Sequence, residues 1–373
     1  VIPAIAFAGN SQMDMEGAYL DPPYAIHQPP KVKSVGSGPE EARSLDRAVV
    51  RNDFETLIQK QTPVRAQEKR GTCSIFSATA LLEFHLVELF DLIPTLDLSE
   101  EWLEYLATRN RTSDGSNSWT NFNLIDQFGM PDEKLLPYIG MTWKKESLPP
   151  LAVERCGHLT GVSFSSCLLG HRDPNLLFAS EAQLLDPSSG LYDPEFLYAR
   201  RAAREVKEAY INYSSRDYVV RYVNEIQDLL DQGIPLTLGA AFFYGSWNHR
   251  TAPELGMARD MNGWYKGIVG YPEPGSVDAV MSPTKEAGHS IVIVGYDNEK
   301  RVTTRIRMVD GTMKSFTYTG VYYFKNSWGK DGFGRDFSID GRPYPGYGMI
   351  TQKYAHEYGT FFRLPLVRMG DNN

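Results

Sequence analysis

The sequence predicts an α+β protein of two lobes, with helices gathered in the first two thirds and strands in the last third. Two patterns carry this. Apolar residues recur at helical spacing up to Asp231, and from Leu236 onward they run in short β-branched and aromatic stretches. No internal repeat or low-complexity tract interrupts the chain, which sets aside solenoids and fibres. Its 373 residues can bury a core as one large domain or two ordinary ones, and 42% hydrophobic with 23% charged residues is a globular composition.

Residues 1–50 form an N-terminal extension rich in Pro, Gly and Ser, as in Gln28-Pro-Pro-Lys31, and predict an extended segment. The apolar start ends in Ala6-Phe7-Ala8 before Gly9. That is the pattern of a signal-peptide tail, although an ordinary strand or loop would read the same. A secreted or periplasmic location is expected. Residues 51–373 form the second unit. Ile75, Phe76, Leu81, Leu82, Phe84, Val87 and Leu89 predict a long helix from Cys73 to Phe90, buried on several sides. Ser99 caps a helix beginning at Glu100, and Thr120 to Phe128 forms another, stopped by Gly129. Pro and Gly punctuate the stretch from Pro149 to Pro194, which predicts an insertion or loop. Val206, Tyr210, Tyr218, Tyr222, Ile226 and Leu230 keep helical spacing over 199–232, until Gly233-Ile-Pro235. Leu236–Phe243, Ser290–Tyr296 and Gly320–Lys325 read as strands.

A net charge of −8 without a basic stripe argues against a nucleic-acid partner, because phosphate binding needs clustered Lys and Arg. Apolar stretches such as Leu238–Tyr244 fall far short of the ~20 residues of a membrane span. A monomer is expected.

Three short windows carry chemistry. In Gln67-Glu-Lys-Arg-Gly71-Thr-Cys73, a cysteine follows Gly-Thr and opens a helix. The helix dipole and free N–H groups there favour a thiolate and can face a developing oxyanion. A lone cysteine is more often a small buried hydrophobe, so its partners decide. In the second window, Gly288-His289 heads an apolar strand, where a sheet would fix the imidazole; taken alone, such a His is commonly structural. In the third, Asn326-Ser-Trp328-Gly329 ends a strand. The Asn can accept the imidazole's second N–H while Trp328 keeps water away; in isolation these residues are a turn.

Together the windows resemble the papain-like (C1 family) cysteine peptidases, in which Gln, Cys, His and Asn occur in that order. The family's Gln stands six residues before its Cys, as Gln67 does before Cys73. Pro63 to Gln67, Leu98-Ser-Glu-Glu101 and Gly129 to Tyr138 are similar to further family segments, and Asp114 to Pro131 to bleomycin-hydrolase-type relatives. The resemblance runs thinly over 51–360 and strongly in the three windows, in a divergent, bacterial-type form. It implies a papain-like two-lobed fold: a helical lobe, an antiparallel β-sheet or barrel lobe, and a cleft between them. It implies Cys73 as nucleophile, His289 as general base and acid, Asn326 as its orienter and Gln67 in the oxyanion hole, with no metal or cofactor. Gly71, Asp114, Gly115, Ser116, Gly288 and Trp328 would bind substrate, a peptide or protein.

Departures from the family pattern are clear. Arg70-Gly-Thr-Cys-Ser74 stands where the family has Cys-Gly-Ser-Cys-Trp, so one disulfide partner and an aromatic are missing. The family's Gly-Gly turn is only Asp114-Gly115-Ser116. Cys73 and His289 lie 216 positions apart (289 − 73), against roughly 130–150 in the family, which implies insertions near 145–205 and 248–285. Aminopeptidase or small-amide hydrolysis on the same site, or an inactive binding module, are the alternative readings. Cys156 and Cys167 predict a disulfide if the chain is exported. With His158 and His171 they can also be drawn as a zinc site of unusual spacing, or left as free thiols. Asn110-Arg-Thr112 and Asn212-Tyr-Ser214 are glycosylation sequons of little weight. Trp247 and Trp264 would line a cleft or pack beneath an insertion. The Pro-rich residues 9–45, already extended, could restrain the cleft at low entropic cost; an arm packed on the outside is the alternative.

Overall fold

The computed structural model describes residues 50–368. The signal-like start and the 9–45 segment lie outside the described residues. The helical part holds α1 (Phe54–Gln59), α2 (Cys73–Phe90), α3 (Glu100–Thr108), α4 (Ser118–Phe128), α5 (Pro150–Cys156), α6 (Gly161–Gly170), α7 (Glu181–Leu185) and α8 (Pro194–Tyr210). The rest interleaves β1 (Val219–Val220), α9 (Val223–Asp231), β2 (Leu236–Ala241), α10 (Met261–Tyr265), β3 (Ile268–Val269) and α11 (Val277–Met281). Then follow β4 (Gly288–Arg307), β5 (Met313–Lys325), β6 (Ser338–Ile339), β7 (Arg342–Pro343), β8 (Tyr347–Thr351), α12 (Gln352–Tyr358) and β9 (Gly359–Phe362). The main sheet runs β1-β9-β2-β4-β5-β8-β3 and is antiparallel except at β3–β8. The chain is therefore α+β, a helical part against a mostly antiparallel sheet, as expected.

Local chemistry explains most helix ends. Ser99 accepts from Trp102 N to start α3, and Asn117 accepts from Thr120 N to start α4. Gly129 ends α4 with φ +69°; a Cβ there would meet the Ala203 carbonyl of α8 at 2.0 Å, so only glycine fits. α2 is long and apolar enough to cross a membrane by length and composition, yet it is mostly buried, as a core helix would be. It packs on α3, α4, β2 and β4. Glu83 on α2 is buried but satisfied, accepting from Thr62 Oγ1 at 2.5 Å and Leu98 N at 2.8 Å. Lys325, the last residue of β5, donates to the same Thr62 hydroxyl at 3.1 Å. That polar cluster ties the helical part to the strand that leads into Asn326.

Three elements differ from the sequence expectation. Of the two readings of residues 149–194, insertion or loop, the loop gives way to helices α5, α6 and α7, because Pro150 and Gly161 sit at helix starts instead of interrupting helices. The helical pattern over 199–232 is broken by β1, since Val219 and Val220 pair with Phe362 and Phe361 of β9. β4 and β5 run on as a hairpin through Arg307↔Met313, where charged and hydroxyl side chains on both faces hid the strand alternation. Cys156 and Cys167 form a disulfide joining α5 to α6, within a small cluster of Trp143, Ala152 and Leu168 separate from the main core. Their sulfurs bond to each other, and His171 bonds Glu101, so the drawn zinc set does not assemble.

Candidate active site

Cys73 is the first residue of α2, wholly buried, and lies outside the Cys156–Cys167 disulfide. Thr72 at the N-cap makes no side-chain cap bond, so the first-turn amides are not occupied by it. Ser290 N donates to Cys73 Sγ at 3.2 Å, and one turn further along α2 the Ser77 hydroxyl lies 2.7 Å from that of Ser290. The two contacts share one helix face and fix α2 in register on β4 beside His289.

His289 heads β4 opposite Ala240 of β2. Its Nε2 is 2.9 Å from Asn326 Oδ1, which also accepts from Ser327 N at 2.9 Å. An amide oxygen only accepts, so the imidazole carries its proton on Nε2 and presents a bare Nδ1, buried and without a hydrogen-bond partner among the described residues. Trp328 stacks on the ring, centroids 4.4 Å apart and planes 25° from parallel, and Trp247 meets it edge-on at 5.1 Å. Burial pushes His289 down to about 4, against the upward pull of the Asn326 bond, so the ring is neutral at ordinary pH.

Gln67 is buried and fixed at both ends of its side chain. Ser327 Oγ donates to Oε1 at 2.7 Å, and Nε2 donates to the Arg70 carbonyl at 2.7 Å. Its backbone N–H reaches the Ser327 carbonyl at 2.8 Å, and Ala66 bridges to Trp328. The Gln67 and Asn326 segments therefore lie side by side.

Arg70, which sequence reasoning noted only as a lost cysteine, is wholly buried in the helical part. Its guanidinium meets Glu104 at 3.1 Å, Glu101 at 3.4 Å and the Leu169 carbonyl at 2.6 Å. Burial opposes its charge, but Glu104 and Glu101 outweigh that and raise its pKa. Burial and Asp114 hold Glu104 well above the usual carboxylate range, whereas the Glu104 hydrogen bond and Arg70 overcome burial to hold Asp114 below it. Tyr138 OH donates to the Gln67 carbonyl at 2.9 Å and lies 2.7 Å from Thr72 Oγ1, closing the loop that carries Gln67 and Cys73.

The structure places the other named residues unevenly. Ser116 donates to Asn121 Oδ1 at 2.5 Å, and Asn121 Nδ2 donates to the Ser74 carbonyl at 2.9 Å, so the Asp114–Ser116 turn is two bonds from the start of α2. Gly115 adopts φ +92°, its carbonyl taken by Arg111 at 2.7 Å. Asp114 interacts with Glu104 and Arg70. Gly71 precedes the N-cap, Gly288 pairs with Ala241, and Trp328 is buried on His289. Ser327 and Tyr138 lay inside family-like segments but carried no role there, and Trp247 and Ser77 had no signal in motif spacing, since each acts across a distant part of the chain.

No protein-family model matches the chain, and no curated protein matches it either. Among solved structures, xylellain, a cysteine protease from Xylella fastidiosa, is 16% identical, with 86% of each chain covered and a TM-score of 0.48. The cysteine protease and lectin-like domains of a surface layer associated protein of Clostridium difficile are 17% identical over 86% of this chain and 53% of that one, with a TM-score of 0.43. Digestive procathepsin L 3 of the Tenebrio molitor larval midgut is 15% identical over 86% and 72%, with a TM-score of 0.41. These solved structures to which the chain is similar are papain-like cysteine proteases, all at low sequence identity.

Proposed function

We propose that the chain is a papain-like cysteine peptidase that hydrolyses peptide bonds through a thioester acyl-enzyme. The observation that carries this reading is the 2.9 Å bond from His289 Nε2 to Asn326 Oδ1 beside a thiol that opens α2. With Nε2 protonated and the ring neutral, Nδ1 is the base that takes the Cys73 proton. The thiolate attacks the substrate carbonyl, and the Cys73 N–H and the Gln67 side-chain amide hold the oxyanion. His289 returns its proton to the departing amine; water, deprotonated by the same ring, then attacks the thioester and frees the acid. Trp328 and Trp247 keep solvent from the Asn326 bond. The Cys156–Cys167 disulfide supports an exported protein, since such bonds persist in oxidising compartments.

A thiol-reactive epoxide should label Cys73 once, read by mass spectrometry, and Cys73→Ala should lose both label and peptidase activity while melting like the parent. Activity retained in Cys73→Ala would sink the assignment. A digest of N-acetylated and free peptides separates internal cleavage from stepwise removal of N-terminal residues, the aminopeptidase alternative. Labelling without any turnover would favour a binding module.

A further inference from the structure

A cavity of about 460 Å³ opens on the helical part, lined by Arg65, Ala66, Glu68, Phe76, the Tyr138–Met141 turn and three further acids, Asp97, Glu100 and Glu133. Ala66 immediately precedes Gln67, and Phe76 is three residues from Cys73, a rise of ~4.5 Å along the helix axis. The cavity therefore begins next to the proposed oxyanion donor and one helical turn from the nucleophile.

Its charge is lopsided. Four acidic side chains face one guanidinium, and Arg65 is already paired with Asp97 at 3.0 Å. Glu133 uses one oxygen to accept Tyr138 N at 2.6 Å; the other, Oε2, is buried without a hydrogen-bond partner. Glu100 is an independent sign. It is 4% exposed and lines the cavity, yet among the described residues no other residue donates a hydrogen bond to its carboxylate. Lys325 opposes it from within, but Glu83, Glu133 and Asp97 press the other way. Burial and these neighbours raise Glu100 well above the usual range, and burial lifts Glu133 to about 7. Carboxylates that resist their own ionisation gain most when a cation enters.

Among the described residues, no three ligating side chains gather closely enough to hold a metal ion. The space is many times the ~30 Å³ of a water molecule, and Phe76 with Tyr138 offers apolar wall for a methylene stem. We propose that this cavity is a cation-recognising subsite that takes the ammonium or guanidinium of a basic side chain on the substrate. The proposal rests on the peptidase reading. An extended peptide advances ~3.3 Å per residue, so a Lys or Arg within a few residues of the cleaved bond is in range.

The test uses the full chain and matched peptides carrying Arg or Lys, or uncharged citrulline or norleucine, at each of three positions on either side of the cleaved bond. A basic residue at one position should raise kcat/KM at least about tenfold, the scale of one charge-assisted hydrogen bond. Glu100→Gln and Glu133→Gln should erase that preference while leaving cleavage of the uncharged peptide unchanged. Glu68→Gln, at a half-exposed position, serves if Glu100→Gln fails to fold. Agmatine should inhibit cleavage of the basic peptide and spare the uncharged one. Equal rates on basic and uncharged peptides would overturn the subsite with the peptidase intact, as would agmatine binding without side-chain preference or protection by calcium alone. Failure of the peptidase reading looks different: no peptide is cut and Cys73→Ala changes nothing.

Discussion

Asn326 Oδ1 accepts from both His289 Nε2 and Ser327 N, so the amide cannot turn over without losing two bonds at once. Gln67 is held the same way between Ser327 Oγ and the Arg70 carbonyl. These side chains are positioned before any substrate arrives, and their expected effects differ. Loss of one oxyanion donor costs roughly 10²–10³ in kcat, so Gln67→Ala should lose turnover with KM little changed. Asn326→Ala should lose less, because it aims the imidazole without touching the reacting atoms. Steady-state kinetics on one peptide decide both, and wild-type turnover in Gln67→Ala would remove it from the oxyanion hole.

At the scale of elements, the Gln67–Cys73 loop is anchored by charge where the family's pattern has a disulfide. Removing Arg70 would leave Glu101 and its neighbours buried without their cation, so Arg70→Met should cost about 3–5 kcal/mol, read from urea unfolding. Glu104→Gln should cost far less, because burial and Asp114 raise Glu104 well above the usual carboxylate range and so favour its neutral form, which the amide imitates. That anchor was not legible in the sequence: Arg70 meets the carbonyl of Leu169, 99 residues away, and a single Arg gives no sign of such a partner. What was legible had local causes. Ser99 and Gly129 bound their helices through cap chemistry, and the Cys73 helix announced itself by an apolar surface on several sides. The motif residues do come together: Cys73, His289 and Asn326 each sit at or beside the end of a regular element that fixes their position, and Gln67, in a loop, is held by its bonds to Ser327 and Arg70. The Asp114–Ser116 turn, a loop with no such constraint, was placed only roughly.

Across the whole molecule, buried titratable groups pull stability in opposite directions with pH. Burial pushes His85, His289 and His356 down to about 4 and His249 to about 3. The unfolded chain takes up these protons from about 6.5 downward and the folded chain does not, so their contribution to stability is lost as pH falls from about 6.5 to about 4. Glu100, Glu104 and Glu133 are raised, bind protons earlier when folded, and gain stability over the acid descent. His85 isolates one term: it is buried away from the candidate site and its Nε2 has no partner among the described residues. His85→Phe should gain about 3 kcal/mol on the parent between pH 6.5 and 4, as measured by urea unfolding at each pH. A constant difference across that range would mean His85 titrates normally.

The disulfide between α5 and α6 also decides which cysteine stays out of a disulfide. Cys156 and Cys167 are 11 residues apart, whereas Cys73 is 83 residues from the nearer of them (156 − 73). Contact probability in an unfolded chain falls as roughly the 3/2 power of separation, which favours the short loop about 20-fold. Cys73 is thus left out of the disulfide by chain statistics, before any fold exists to hide it. An Arg70→Cys substitution would put a fourth thiol three residues away and give Cys73 a nearer mate than either native cysteine.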